Sequence, residues 1–134
     1  MNAIGTFTVT LNPQDAYTTG VDGINLGRMS IDKTFSGDLH GISQGEMLSA
    51  MTVVKGSAGY VAIEQVTGTL DGRKGSFVLQ HFGTMNQGQD RLVLEVVPDS
   101  ASGELRGLVG EMRIRIDQGV HHYEFDYRLE ISDE

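Results

Sequence analysis

The sequence has no cysteine and only 2 prolines. The first absence excludes disulfide bridges, thiol nucleophiles and cysteine-ligated zinc. The second stands beside 18 glycines spread singly along the chain, and together they point to tight turns and close backbone approaches, not to a helical bundle. Basic charge is also scarce. Ten Lys and Arg face 18 Asp and Glu, for a net charge of -8. A nucleic-acid binder carries a basic patch, and here the densest basic run, Arg113 to Arg115, is followed by acidic residues. An anionic membrane surface is a poor partner for the same reason. No apolar run approaches the ~20 residues that span a bilayer. Met1 to Gly5 has neither the basic nor the apolar region of a signal peptide. A cytoplasmic protein with no nucleic-acid and no membrane partner is the expectation.

What is present is strand periodicity. The 134 residues suit one domain, residues 1–134, large enough for a core without staples. Phe7, Val9 and Leu11 alternate with threonines, and Met29, Ile31 and Phe35 alternate with polar residues. Residues 38–47, 59–70, 75–84, 91–97, 105–117 and 120–131 continue the pattern. About eight strands result. Asp71-Gly72 and Gln118-Gly119 read as two-residue hairpin loops. Residues 86–88 and 99–103 read as longer ones. Short loops make successive strands antiparallel. The expected fold is all-β, an eight-stranded antiparallel up-and-down barrel, because closure removes exposed edges.

Two stretches are ambiguous. Residues 12–25 read as a loop covering one end. Residues 43–55 could start a helix, with Ser43 and Glu46 mimicking a capping box. Gly45 in that first turn and Thr52, Val53 and Val54 favour a strand instead.

The short loops set the register. With Asp71-Gly72 as the loop, Val66 faces Phe77, Glu64 faces Leu79 and Ala62 faces His81, all on the side that carries Tyr60. Glu64 and His81 become diagonal neighbours on the inner face. With Gln118-Gly119 as the loop, Ile114 faces Tyr123, Met112 faces Phe125 and Gly110 faces Tyr127. Gly110 would leave space for a ring. The reverse side of the 59–84 hairpin is nearly as apolar, with Val61, Ile63, Val78 and Phe82. A barrel exterior that apolar suggests a homo-oligomer contact, or a loop packed across it.

Other motifs weigh less. Gly41-Ile42-Ser43-Gln44-Gly45 spells a nucleophile elbow, but an elbow needs an alternating α/β fold. Gly41, Ser43 and Gly45 read instead as one face of a strand. His121 and His122 are adjacent and point to opposite faces. Glu64 and His81, even with His121, make a weak metal site. No metal and no cofactor is expected. A carboxylate in apolar surroundings has a raised pKa, so Glu64 with His81 is a candidate acid/base pair. The same two side chains can equally satisfy each other. Tyr60, Glu64, Phe77, His81, Tyr123 and Tyr127 are the candidate lining of a site for a small apolar molecule. An isomerase or cyclase using Glu64, and a non-catalytic oligomer, are the alternatives.

At Gly59-Tyr60-Val61-Ala62-Ile63-Glu64, at Gly72 to His81 and at Val97-Pro98-Asp99-Ser100, the chain resembles a bacterial family of unknown function related in fold to plant allene oxide cyclase. The resemblance implies an eight-stranded antiparallel barrel with a central cavity. The cyclase itself is a trimeric isomerase that uses cavity shape, a buried glutamate and a bound water. Its catalytic residues do not align onto this chain, and the resemblance brings no activity with it.

Overall fold

A computed structural model describes residues 1–130. Eight strands follow one another: β1 (Asn2–Gln14), β2 (Asn25–Gly37), β3 (Leu39–Met51), β4 (Ala58–Leu70), β5 (Arg73–Asn86), β6 (Gln89–Val96), β7 (Leu108–Asp117) and β8 (Val120–Leu129). Each pairs antiparallel with the next, and β8 returns to β1 from Phe7↔His121 to Asn2↔Asp126. The result is the closed eight-stranded barrel that the alternation and short loops imply. A single 3₁₀ turn, Gly103–Leu105, interrupts the β6–β7 connection. Among the described residues no helix is long and apolar enough to cross a membrane.

The hairpin arithmetic holds. Leu70 pairs with Arg73 across Asp71-Gly72, and Asp117 pairs with Val120 across Gln118-Gly119. Both residues of each loop have positive φ, the backbone that a two-residue turn needs to match strand twist. A third such turn is shorter than the sequence suggests. Asn86 pairs with Gln89, so the loop is Gln87-Gly88 and not residues 86–88. The stretch 12–25 also narrows, because β1 runs to Gln14 and β2 starts at Asn25. The 105–117 run loses its start, since Leu105 belongs to the 3₁₀ turn and β7 begins at Leu108.

Residues 43–51 are strand, not helix, but the strand stops before Thr52, Val53 and Val54, which belong to the β3–β4 turn. The capping-box residues part company there. Ser43 points inward, while Glu46 points outward to an ion pair with Arg28 at 2.7 Å. Gly45 lies opposite Glu64, where any side chain would meet the carbonyl of Ile63 and the Glu64 backbone. That close approach needs a glycine in the strand.

One end of the barrel is solid. Phe77 stacks on Phe125 at 5.9 Å between ring centres, and Phe125 lies 5.3 Å from Tyr127. Leu39, Leu70, Leu105 and Leu108 complete this plug. Tyr127 hydrogen-bonds Asp71, tying β8 to the β4–β5 turn. Tyr123 donates to the Ser36 carbonyl at 3.0 Å and accepts from the Leu39 amide at 2.8 Å. Gly110 does face Tyr127, but it accommodates the tyrosine's backbone and Cβ. The rings that lie over glycines are Tyr60, across from Gly83, and Tyr123, across from Gly5.

Candidate functional site

Four polar side chains meet halfway along the lumen. β4 points Glu64 inward, β2 supplies Lys33, β3 supplies Ser43 and β5 supplies His81. Register brings them together. Lys33 is the cross-strand partner of Ser43, and His81 lies diagonal to Glu64 as the turn at Asp71-Gly72 requires. Glu64 Oε2 accepts from Lys33 Nζ at 2.8 Å and from His81 Nε2 at 2.5 Å. Its Oε1 accepts from Ser43 Oγ at 2.8 Å. Glu64 is fully buried, with Lys33 7% and His81 5% exposed. The Lys33 ammonium also lies 4.7 Å from the centre of the Phe7 ring and 5.8 Å from that of Phe35. Such contacts stabilise a desolvated cation.

The charge state of Glu64 differs from the expectation. Burial alone pushes its carboxyl upward and is the largest single influence. The hydrogen bond from His81, the charges of Lys33 and His81 and the hydrogen bond from Lys33 together outweigh it, and the carboxyl falls to about 2. An apolar barrel would have raised it; three donors and a buried ammonium reverse the sign. Glu64 is therefore a carboxylate at neutral pH and has no proton to donate.

Above the cluster the barrel is open. A cavity of about 910 Å³ occupies the end that carries the β1–β2, β3–β4, β5–β6 and β7–β8 turns. Val9, Leu92, Ile114, Ile116 and four methionines, Met29, Met47, Met51 and Met85, form most of its wall. Tyr60, Ser49, Thr84, His121, Asp90 and Arg91 are its main polar groups. Phe7 joins cavity and cluster, since it lines the former and covers Lys33 in the latter. Val9, another wall residue, is the cross-strand partner of Lys33.

The six candidate lining residues divide between these zones. Tyr60 walls the cavity. Glu64 and His81 lie in the layer beneath it. Phe77, Tyr123 and Tyr127 belong to the packed core and do not wall the cavity. His121 turns inward, as a third ligand would, but its ring packs on Phe7 at 5.0 Å. Among the described residues no three His, Cys, Asp or Glu side chains converge on a metal position. Sequence reasoning missed Lys33 and Ser43 as partners of Glu64. The signal for Lys33 was present: it occupies an inward position between Ile31 and Phe35, where a lysine needs a buried anion.

The family described as "Protein of unknown function (DUF3224)" matches residues 3–127. A crystal structure of a DUF3224 protein of unknown function from Shewanella oneidensis MR-1 superposes with a TM-score of 0.97. It is 64% identical, and the match covers 98% of each chain. No curated protein matches. With the match running from the first strand to the last, this chain belongs to the DUF3224 family of proteins of unknown function.

Proposed function

We propose that the open end of the barrel binds a small, largely apolar molecule. The observation that carries this reading is the cavity of about 910 Å³, walled mostly by aliphatic and methionine side chains with a few polar groups. Volumes of roughly 300–1,000 Å³ with that lining are typical of ligand sites. Methionine adapts its shape, which suits a flexible or variable guest. Native mass spectrometry of the purified protein tests for a retained guest, and thermal shift tests a panel of apolar acids and alcohols. A bound mass, or a rise in Tm that grows with ligand concentration, is expected. No retained mass, no shift and no uptake of an apolar fluorescent probe would remove the reading. The isomerase alternative would use Glu64 as a general base and not as an acid, because its carboxyl is held ionised.

The exterior supports a second reading, that two copies of the chain associate through β3 to β6. Leu48, Val61, Phe82 and Val93 form one cross-strand row. The first three of these are exposed, as is the neighbouring Ile63, while Val78 is half-buried. Arg91 flanks the row on one side, with Glu46 and Glu95 on the other. A two-fold axis through the row sets each arginine against the acidic side of its mate. Light scattering is expected to show a dimer or larger species, and Phe82→Glu a monomer. A monomeric wild type at high concentration excludes it.

A further inference from the structure

The buried cluster leaves one polar atom over. Glu64 accepts from all three of its neighbours through its two oxygens. His81 takes part through Nε2 alone, and its Nδ1 has no hydrogen-bond partner among the described residues. No fully enclosed side-chain nitrogen or oxygen there lacks a partner, so Nδ1 is reachable from outside the packed layer. His81 faces inward and lies directly beneath the cavity wall. Met47, a cavity wall residue, lies in the same cross-strand row with only Ala62 between them. Ala62 offers a single methyl, so little side chain separates the ring from the cavity.

The hydrogen on the ring is fixed by its neighbours. An ionised carboxylate only accepts, so His81 Nε2 holds a hydrogen. Lys33 already supplies one positive charge against the carboxylate, and the ring is taken in its neutral Nε2–H form. Its Nδ1 then carries a lone pair aimed away from the carboxylate. The arrangement is that of a carboxylate orienting an imidazole whose far nitrogen serves a substrate. Lys33, Ser43 and Glu64 are positioning residues in this scheme.

We infer that His81 Nδ1 is the hydrogen-bond acceptor that meets the ligand's polar group, and that the ligand class is apolar molecules bearing one hydroxyl. The inference rests on the cavity being a ligand site. It reverses the roles read from the sequence, where Glu64 does the chemistry and His81 orients it.

The test compares 4-pentylphenol with its methyl ether, 4-pentylanisole, by isothermal titration. The phenol is expected to bind about tenfold more tightly, the value of one good hydrogen bond. His81→Leu removes both ring nitrogens while Lys33 and Ser43 still hold Glu64, and is expected to bind both probes equally. Equal wild-type affinities overturn the inference and leave the apolar cavity standing. Nitrogen-15 NMR of histidine-labelled protein decides the ring state with no probe present. A bare Nδ1 with hydrogen on Nε2 is expected for His81 at neutral pH. An Nδ1–H tautomer or an imidazolium overturns the inference, whether or not either probe binds.

Discussion

The two ends of this barrel are made from the same strands with the same alternation, yet one is solid and the other hollow. At the closed end β4, β5 and β8 turn Val66, Leu70, Phe77, Phe125 and Tyr127 inward. At the open end the same three strands turn in Ala58, Tyr60, Gly83, Met85 and His121. A barrel's width is set by strand number and stagger and not by side chains. Inward volume alone then decides whether a section is core or cavity. The Lys33–Glu64–His81 layer marks the boundary between the two. The Glu64 carboxylate takes its donors there from three other strands, and the layer separates the core from the lumen.

The largest expected effect breaks the closed end. Phe125 is fully buried between Phe77 and Tyr127. Phe125→Ala is expected to cost about 4 kcal/mol, from lost burial and the cavity left behind. Met85→Ala at the open end removes a partly exposed wall residue and is expected to cost less than about 1 kcal/mol. Denaturant unfolding of both variants measures the contrast. Comparable losses would mean that the open end is as tightly packed as the closed one.

The next effect tests the boundary layer. The Glu64 carboxyl is depressed from 4.5 to about 2. A depressed acid stabilises the fold above its unfolded pKa and loses that contribution as pH falls through its folded one. The window therefore lies between about 4.5 and 2, and the displacement corresponds to about 3 kcal/mol. Lys33→Met leaves the carboxylate buried without its ammonium, at a cost of roughly 3 kcal/mol near neutral pH. It also raises the folded-state pKa toward the unfolded one, so the loss of stability between about 4.5 and 2 shrinks. Unfolding curves across that range report both changes. An acid profile unchanged by Lys33→Met would show that the ammonium does not hold Glu64 ionised.

The fold was legible because local rules carried it. Two turns of fixed length, at Asp71-Gly72 and Gln118-Gly119, determined which residues share a face, and the period-two pattern supplied the strands. The meeting of Glu64 with His81 followed from the first of those turns alone. Lys33 and Ser43 were harder, because β3 reaches Glu64 through residues 52–57 and β2 through the further loop at Asp38, neither of which carries a two-residue turn signal. The carboxyl's pKa was misjudged for the same reason, since its sign depends on a cation placed by that unread register. The cavity was invisible in principle: alternation shows which residues point inward but not whether their volumes fill the space. Four methionines at the open end and leucines with phenylalanines at the closed end were the available clue.

The smallest effect compares one tyrosine at each end. Burial raises the Tyr127 phenol, its hydrogen bond to Asp71 raises it further, and it reaches about 12. Tyr60 at the open end is raised by burial first and then by the charges of Asp90 and Glu64. A raised phenol stabilises the fold below its unfolded value and loses that contribution as pH climbs through the folded one. For Tyr127 the loss falls between 10 and about 12. Tyr127→Phe removes the bond to Asp71 at an expected cost of about 1 kcal/mol. It also removes a late-ionising phenol from an ultraviolet titration and flattens the alkaline fall in stability. Tyr60→Phe leaves the Tyr127–Asp71 link intact and should keep that fall. If the two variants lose stability alike as pH rises, the link between β8 and the β4–β5 turn is not what holds the closed end shut.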